Sequence, residues 1–324
     1  MKRNLALPSC LLLALMFGGC SSASTPTSSQ SESASVQAEN ETVQPSASNQ
    51  TEIKKTTESI QPSQVHSKLE LSEFETITVV DNDQCLIQIT GIEEKTFMGM
   101  ALNVHLENRS PETTYRFSTI AASINDIHVE DLFSESVAPG KSANDTIRFE
   151  NLKSYGMDIY TDIELTFTVR DDNDFMANPI AQETVHVYPY GQENATRFER
   201  QSQSNDQMIV DNDYAKVIVT GYEPDGTFGY EVNLFIENKS DRNLMFSVDG
   251  TSVNDMMVDP FWAESIEPHK MGFDTIRFSK SNLEENQIEQ VDKIEFSFVI
   301  HDADDWMADD YFNEVITLYP NKKN

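Results

Sequence analysis

The sequence predicts an all-β chain, folded as two tandem antiparallel β-sandwich domains behind a disordered N-terminal tether. Three observations carry that expectation. A block of about 115 residues is written twice, each copy is built of short alternating apolar and polar runs, and residues 21–70 carry almost no apolar periodicity.

The leader comes first. Lys2 and Arg3 precede a mostly apolar run from Leu5 to Phe17, which is shorter than the roughly 18 apolar residues a membrane span requires. Residues 1–19 therefore read as an export signal. Phe17-Gly18-Gly19-Cys20 ends that run and resembles the lipobox of bacterial lipoproteins, although Phe17 stands where Leu is usual. The resemblance implies cleavage before Cys20, lipid attachment there, and anchorage on the outer face of a bacterial cytoplasmic membrane. That lipid would be the chain's single contact with the membrane.

Residues 20–70 follow, dominated by Ser, Thr, Gln, Glu and Pro, as in Gln44-Pro45-Ser46. Such a segment buries too little apolar surface to offset its ordering entropy, so it is expected to be a disordered tether. Its root-mean-square reach would be about 40 Å.

The repeat then begins. Asp81-Asn82-Asp83 returns as Asp211-Asn212-Asp213, and Thr90-Gly91 as Thr220-Gly221. Glu107-Asn108-Arg109-Ser110 returns as Glu237-Asn238-Lys239-Ser240, and Ser123-Ile124-Asn125-Asp126 as Ser252-Val253-Asn254-Asp255. Asp145-Thr146-Ile147-Arg148-Phe149 is repeated letter for letter at 274–278, and both copies close on Tyr-Pro, at 188–189 and 319–320. The offset stays between 129 and 131 residues, which establishes a duplication. The expected boundaries are 71–190 for the first module, 191–206 for a linker, 207–320 for the second module and 321–324 for a tail.

Inside each copy the period is two. Leu102, Val104 and Leu106 match Val232, Leu234 and Ile236; Ile163, Leu165, Phe167 and Val169 match Ile294, Phe296, Phe298 and Ile300. A slip of one residue would turn all of these to water, so equal registers imply equal, self-contained cores. One polar face per strand fits sheets packed as a sandwich. A short helix over 282–288, capped by Ser281 with Glu284 in a capping box, is expected after the second Asp-Thr-Ile-Arg-Phe. The Asp-Asn-Asp motifs read as tight turns that tolerate left-handed backbone.

The set Glu-Asn-Lys-Ser, Ser-Val-Asn-Asp and Asp-Thr-Ile-Arg-Phe resembles uncharacterised immunoglobulin-like tandem modules of Gram-positive bacterial lipoproteins, over residues 76–190 and 207–320. The resemblance implies an immunoglobulin-like fold and a surface address. It transfers no catalytic residue.

Composition narrows the function. The chain carries 23 basic and 54 acidic side chains, a formal net charge of -31. Such a surface repels phosphate backbones, which argues against nucleic acid as a partner. Of three cysteines only Cys85 lies beyond residue 20, so no internal disulfide is expected in the modules, and its alternation with Ile87 and Ile89 places it in a core. No Gly-x-Ser-x-Gly, His-Glu-x-x-His, phosphate-cradling glycine loop or Cys-x-x-Cys is present. His105, His128, His186 and His301 align with Phe235, Met257, Thr317 and Arg170, so no histidine recurs, and most read as solvated outward residues. No catalytic residue, metal site or cofactor is therefore assigned. Asp171-Asp172-Asn173-Asp174 and Asp302-Ala303-Asp304-Asp305 leave weak calcium binding open, but they lack the spacing of a helix-loop-helix calcium site, and turn chemistry with solubility is the preferred reading.

The candidate ligand-binding residues are Phe175, Met176, Trp306 and Met307, an aromatic-Met pair recurring in one loop of each copy, with Phe261 and Trp262 beside them. They either form a recognition patch or fold back as a plug on the open end of the sandwich, the plug being the commoner use of large apolar groups. Phe235, on an outward face, is a lesser candidate. The function expected is a cell-surface lipoprotein acting as a non-enzymatic binding or adhesion module for a protein, peptide or wall glycan. A structural spacer or accessory subunit of an envelope complex is the alternative, and an enzyme a distant third.

Overall fold

The structure is a computed structural model that describes residues 69–96, 99–130, 133–149, 152–174 and 176–322. The signal segment, Cys20, the tether up to residue 68, and Phe175 lie outside the described residues. The chain is nearly all β, with antiparallel sheets in a sandwich-like arrangement.

The first repeat contributes β1 (Ile77–Asp81), β2 (Cys85–Thr96), β3 (Gly99–Asn108), β4 (Tyr115–Ile124), β5 (Ile127–His128), β6 (Ser134–Val137), β7 (Ser142–Arg148), β8 (Ile163–Asp171) and β9 (Ala181–Val187). The second contributes β10 (Gln207–Asp211), β11 (Ala215–Gly226), β12 (Gly229–Asn238), β13 (Leu244–Val253), β14 (Met256–Met257), β15 (Ala263–Ile266), β16 (Met271–Ser279), β17 (Ile294–Asp302) and β18 (Phe312–Leu318), with a short helix α1 (Lys280–Glu285). In the first repeat β1-β2-β3-β7 forms one sheet, while β5-β4-β8-β9, with β6 on β4, forms the facing one. The second repeats this with β10-β11-β12-β16 and β14-β13-β17-β18, β15 lying on β13. The chain crosses between sheets from β3 to β4 and from β7 to β8, so β2-β3-β7 and β4-β8-β9 reproduce the A-B-E and C-F-G pairings of an immunoglobulin-like sandwich.

The duplicated motifs each have a structural task. Asn82 Oδ1 accepts the N–H groups of Gln84 and Cys85, both at 2.8 Å, and Asn212 does the same for Tyr214 and Ala215 at 2.9 and 2.8 Å. Arg109 then ties Asp81 (2.7 Å) as Lys239 ties Asp211 (2.6 Å), which joins two motifs distant in sequence. Asn108 and Asn238 are buried and donate to strand-end carbonyls, so their amides are structural. Thr90-Gly91 and Thr220-Gly221 mark the same bulge, between Ile89 and Gly91 and between Val219 and Gly221. Left-handed backbone occurs elsewhere than expected. Among the repeated motifs it belongs to Asn125-Asp126 and Asn254-Asp255, with φ between 50° and 67°, which make two-residue turns from β4 to β5 and from β13 to β14. Asn and Asp tolerate that region, whereas the Asp-Asn-Asp turns are closed by side-chain acceptance and have no need of it.

Helix α1 is capped by Ser279, whose Oγ accepts from Asn282 N at 3.2 Å, two residues before the expected cap. Ser279 is still extended where β16 ends, which is the backbone an N-cap requires.

The predicted inward residues are buried: Leu102, Leu106, Ile163, Leu165, Phe167, Val232, Ile236, Phe296 and Phe298 all reach the interior, as does Cys85, a free thiol. Burying each Phe contributes about 2–3 kcal/mol. Burial pushes the Cys85 thiol pKa up, although an Asn82 hydrogen bond and the Arg109 charge oppose it.

The first repeat's core is not self-contained. Ile218, Phe235 and Met271 of the second repeat are buried within it. A parallel bridge between Ile127 and Met271, with Met271 N donating to Asp126 O at 2.9 Å, joins β5 to β16. The inner sheets of both repeats thereby become one nine-stranded sheet. Phe235 does face outward from its own sheet, but it is buried within the first repeat's core with Arg200 of the connecting segment 5.5 Å over its ring, which removes it as an exposed ligand candidate.

Candidate functional site

Two places gather chemistry. The first is the pair of equivalent loops after β8 and β17. Asp302, buried at the end of β17, accepts the N–H groups of Asp304 (3.0 Å) and Asp305 (3.2 Å), turning the chain sharply outward. Asp305 Oδ1 accepts Met307 N at 3.0 Å, as Asp174 Oδ1 accepts Met176 N and Ala177 N at 3.2 Å. These turns present the following side chains to solvent: Met176 is 94% exposed, Trp306 68% and Met307 91%. The plug reading is therefore corrected for these three residues; the aspartates that form the turns direct the large apolar groups away from the core. The Trp306 ring lies 5.2 Å from that of His301, tilted by 34°, and His301 Nδ1 lies 3.1 Å from Asp310. Asp304, Asp305, Asp309 and Asp310 ring this loop, exposed, and no Lys or Arg occurs between residues 294 and 321.

The neighbouring pair separates. Phe261 is 96% exposed, with a left-handed φ of 50°. Trp262 is buried at 9%, packs 6.1 Å from the Phe298 ring and donates Nε1–H to Asp274 Oδ2 at 2.6 Å. Trp262 is accordingly a core residue and leaves the ligand set. The acidic loop oxygens are engaged in closing turns, and among the described residues no group of three or more His, Cys, Asp or Glu is arranged to hold a metal ion.

The second place is the junction of the repeats, which the sequence did not reveal. Lys270, on the turn before β16, reaches across to Asp126 (2.8 Å) and Glu164 (2.5 Å) of the first repeat. Burial opposes its charge, but these two hydrogen-bonded carboxylates raise its pKa overall. His128 lies 2.9 Å from Glu267 and 3.6 Å from Glu264. Burial alone would lower its pKa; the Glu267 hydrogen bond and the charges of Glu267, Glu264 and Glu130 raise it instead. Glu264 is pushed up to about 7, by burial first and by Asp274 second, while His128 pulls the other way. His128 and His301 are thus largely buried and are not the solvated residues expected.

Beside this network lies a cleft of about 660 Å³, walled by residues 154–156, the connecting segment 198–205 and the outward faces of β11, β12 and β16. Tyr155 stacks on Phe273 there, centroids 4.1 Å apart and planes 10° from parallel. A smaller cavity of about 180 Å³, also lined by Tyr155 and Phe273, touches His128, Glu130, Glu264 and Asp274. Periodicity cannot find such a site, because it is made where two repeats meet. The one visible signal was asymmetry, since Phe235 and Phe273 replace His105 and Asn144 of the first copy.

No protein-family model matches the chain, and no curated protein does. Among solved structures, a transglutaminase of red sea bream is similar at 12% identity and a TM-score of 0.22, covering 73% of this chain and 31% of that one. The chain thus spans about a third of that protein's length, and a likeness so slight bears on neither activity nor partners.

Proposed function

We propose that the chain is a surface-displayed, lipid-anchored binding module without enzymatic activity, and that the loops after β8 and β17 are its recognition surface. One observation carries this reading: Met176 and Met307 stand in water at equivalent positions of the two repeats, Trp306 is exposed beside Met307, and a duplicated Asp turn holds them there. Exposed aromatic and Met side chains are what interface centres use, and their exposure in free solution is otherwise unfavourable. The partner is a protein, peptide or wall glycan on the same surface, held outside the membrane by lipid on Cys20. Duplication adds avidity where two weak sites engage one partner. The acidic surface, net -31, argues against nucleic acid.

A photo-crosslinking residue at position 307 of the full chain tests this on intact cells. A cross-linked surface component that disappears in Trp306→Ala is the expected result. No cross-link, or one indifferent to Trp306, removes the reading. A spacer role is favoured by the continuous nine-stranded sheet, which stiffens the pair; it predicts that Trp306→Ala changes no association at all. Metabolic labelling with a fatty acid, lost in Cys20→Ala, tests the anchor.

A further inference from the structure

The geometry points to a second binding site, the cleft between the repeats, with a neutral oligosaccharide as its ligand. It stands apart from the loop surface and does not require it. At about 660 Å³ the cleft is within the range of small-molecule sites. Its chemistry contrasts with the rest of the surface. In a chain with a net charge of -31, the one cation lining the cleft among the described residues is spent, because Arg200 forks onto Asp206 at 2.7 and 2.6 Å and lies 5.5 Å over the Phe235 ring. Asp274 is likewise engaged, accepting from Trp262 Nε1 and from Thr275 N, each at 2.6 Å. What remains on offer is amide, hydroxyl and aromatic surface with the exposed carboxylate of Glu199, which fits a polar, uncharged ligand whose hydroxyls can donate to that carboxylate.

Two amides are arranged for a hydroxyl. Asn205 gives its Nδ2 hydrogen to Thr220 O at 2.6 Å, leaving its Oδ1 without a donor among the described residues. Asn233 Oδ1 accepts from Thr275 Oγ1 at 3.0 Å, leaving its Nδ2 without an acceptor among the described residues. A sugar hydroxyl both donates and accepts, so one open acceptor and one open donor suit it. The first repeat shows the closed alternative: there Asn103 Nδ2 is taken by Glu93 Oε1 at 3.1 Å. The half-exposed Tyr155, backed by Phe273, supplies a flat ring whose electron-rich face attracts the polarised C–H groups of a pyranose. The walls are set before any ligand arrives. Arg200, Asp206 and Gln203 N fix the connecting segment, and Phe198 N donates to Asn125 O at 2.8 Å. Preorganisation of this kind lowers the ordering cost of binding.

The test is calorimetric titration of the full chain with chitotetraose and with cellotetraose, which separate acetamido from plain hexose chemistry. Binding of at least one with a Kd of about 1 mM or tighter is expected. Tyr155→Ala and Asn233→Ala are each expected to weaken it at least about tenfold, while Trp306→Ala leaves it within about twofold. Asn205→Ala, at an exposed position, replaces any variant whose melting shows that it does not fold. The proposal is overturned if neither sugar binds up to about 10 mM, or if binding survives all the cleft substitutions. Binding lost in Trp306→Ala but kept in Tyr155→Ala would also overturn it, by placing the sugar on the end loops.

Discussion

Replacing Lys270 by Ala should weaken the chain more than removing any other lysine. The side chain is 13% exposed and sits between two carboxylates of the first repeat, 2.8 Å from Asp126 and 2.5 Å from Glu164. Breaking a buried ion pair by deleting one partner costs about 3–5 kcal/mol, since the other charge is left uncompensated. Asp126 and Glu164 keep 31% and 26% of their side-chain surface in water, and Arg197 (3.8 Å) and His186 (3.7 Å) remain near them. Hydration and those neighbours reduce the expected loss to about 2 kcal/mol. The second repeat provides an internal control. Its equivalent acids, Asp255 and Glu295, are met by its own Lys293 at 2.8 and 3.2 Å, on an open surface. Lys293→Ala should therefore be close to neutral. Urea unfolding of both variants, read at constant m-value, decides the matter. Equal losses, or a smaller loss at Lys270, would refute the reasoning that this lysine secures the junction.

Other consequences follow from single residues. Stability should decline as pH rises from about 5 to about 8, because Glu264 has a folded pKa near 7 and His128 is also raised. Groups shifted upward stabilise the fold most below their unfolded pKa, and lose that contribution as pH passes the folded one. Glu264→Gln should flatten this slope by at most about 3 kcal/mol, measured by thermal melts across the range. Trp306→Ala should change stability by less than about 0.5 kcal/mol, against about 3–5 kcal/mol for the buried Trp262→Ala, by urea titration. Phe261→Gly should stabilise by about 0.5–1 kcal/mol, since it relieves a left-handed, solvent-exposed aromatic residue. Cys85 should resist thiol reagents at neutral pH until the chain unfolds, because burial raises its pKa and denies access.

Much of the fold was readable because a strand has a period of two. The alternation of Ile163, Leu165, Phe167 and Val169 could bury in only one register, and the duplicate at 294–300 repeats it. The motifs were visible as repeats, yet their tasks were not. Nothing in Glu-Asn-Arg-Ser announces that Arg109 will cap Asp81, twenty-eight residues earlier. Phe235 marks where the reading stops: a period assigns a side chain to a face, but not the neighbour that covers that face. The same limit hid Lys270 and Phe273, which act between repeats. At the end loops the residue types were legible and their exposure was not. Large apolar groups ordinarily close a core, and here a buried Asp302 turns the chain outward just before them.

The proposed recognition surface requires the chain's two tryptophans to differ, Trp262 being buried and Trp306 exposed. Acrylamide quenching of the single-tryptophan variants Trp262→Phe and Trp306→Phe measures it directly. Trp306 should be quenched nearly as freely as the amino acid in solution, and Trp262 should be protected. A shielded Trp306 would return the loop to the core and remove the recognition surface on which the proposed function rests.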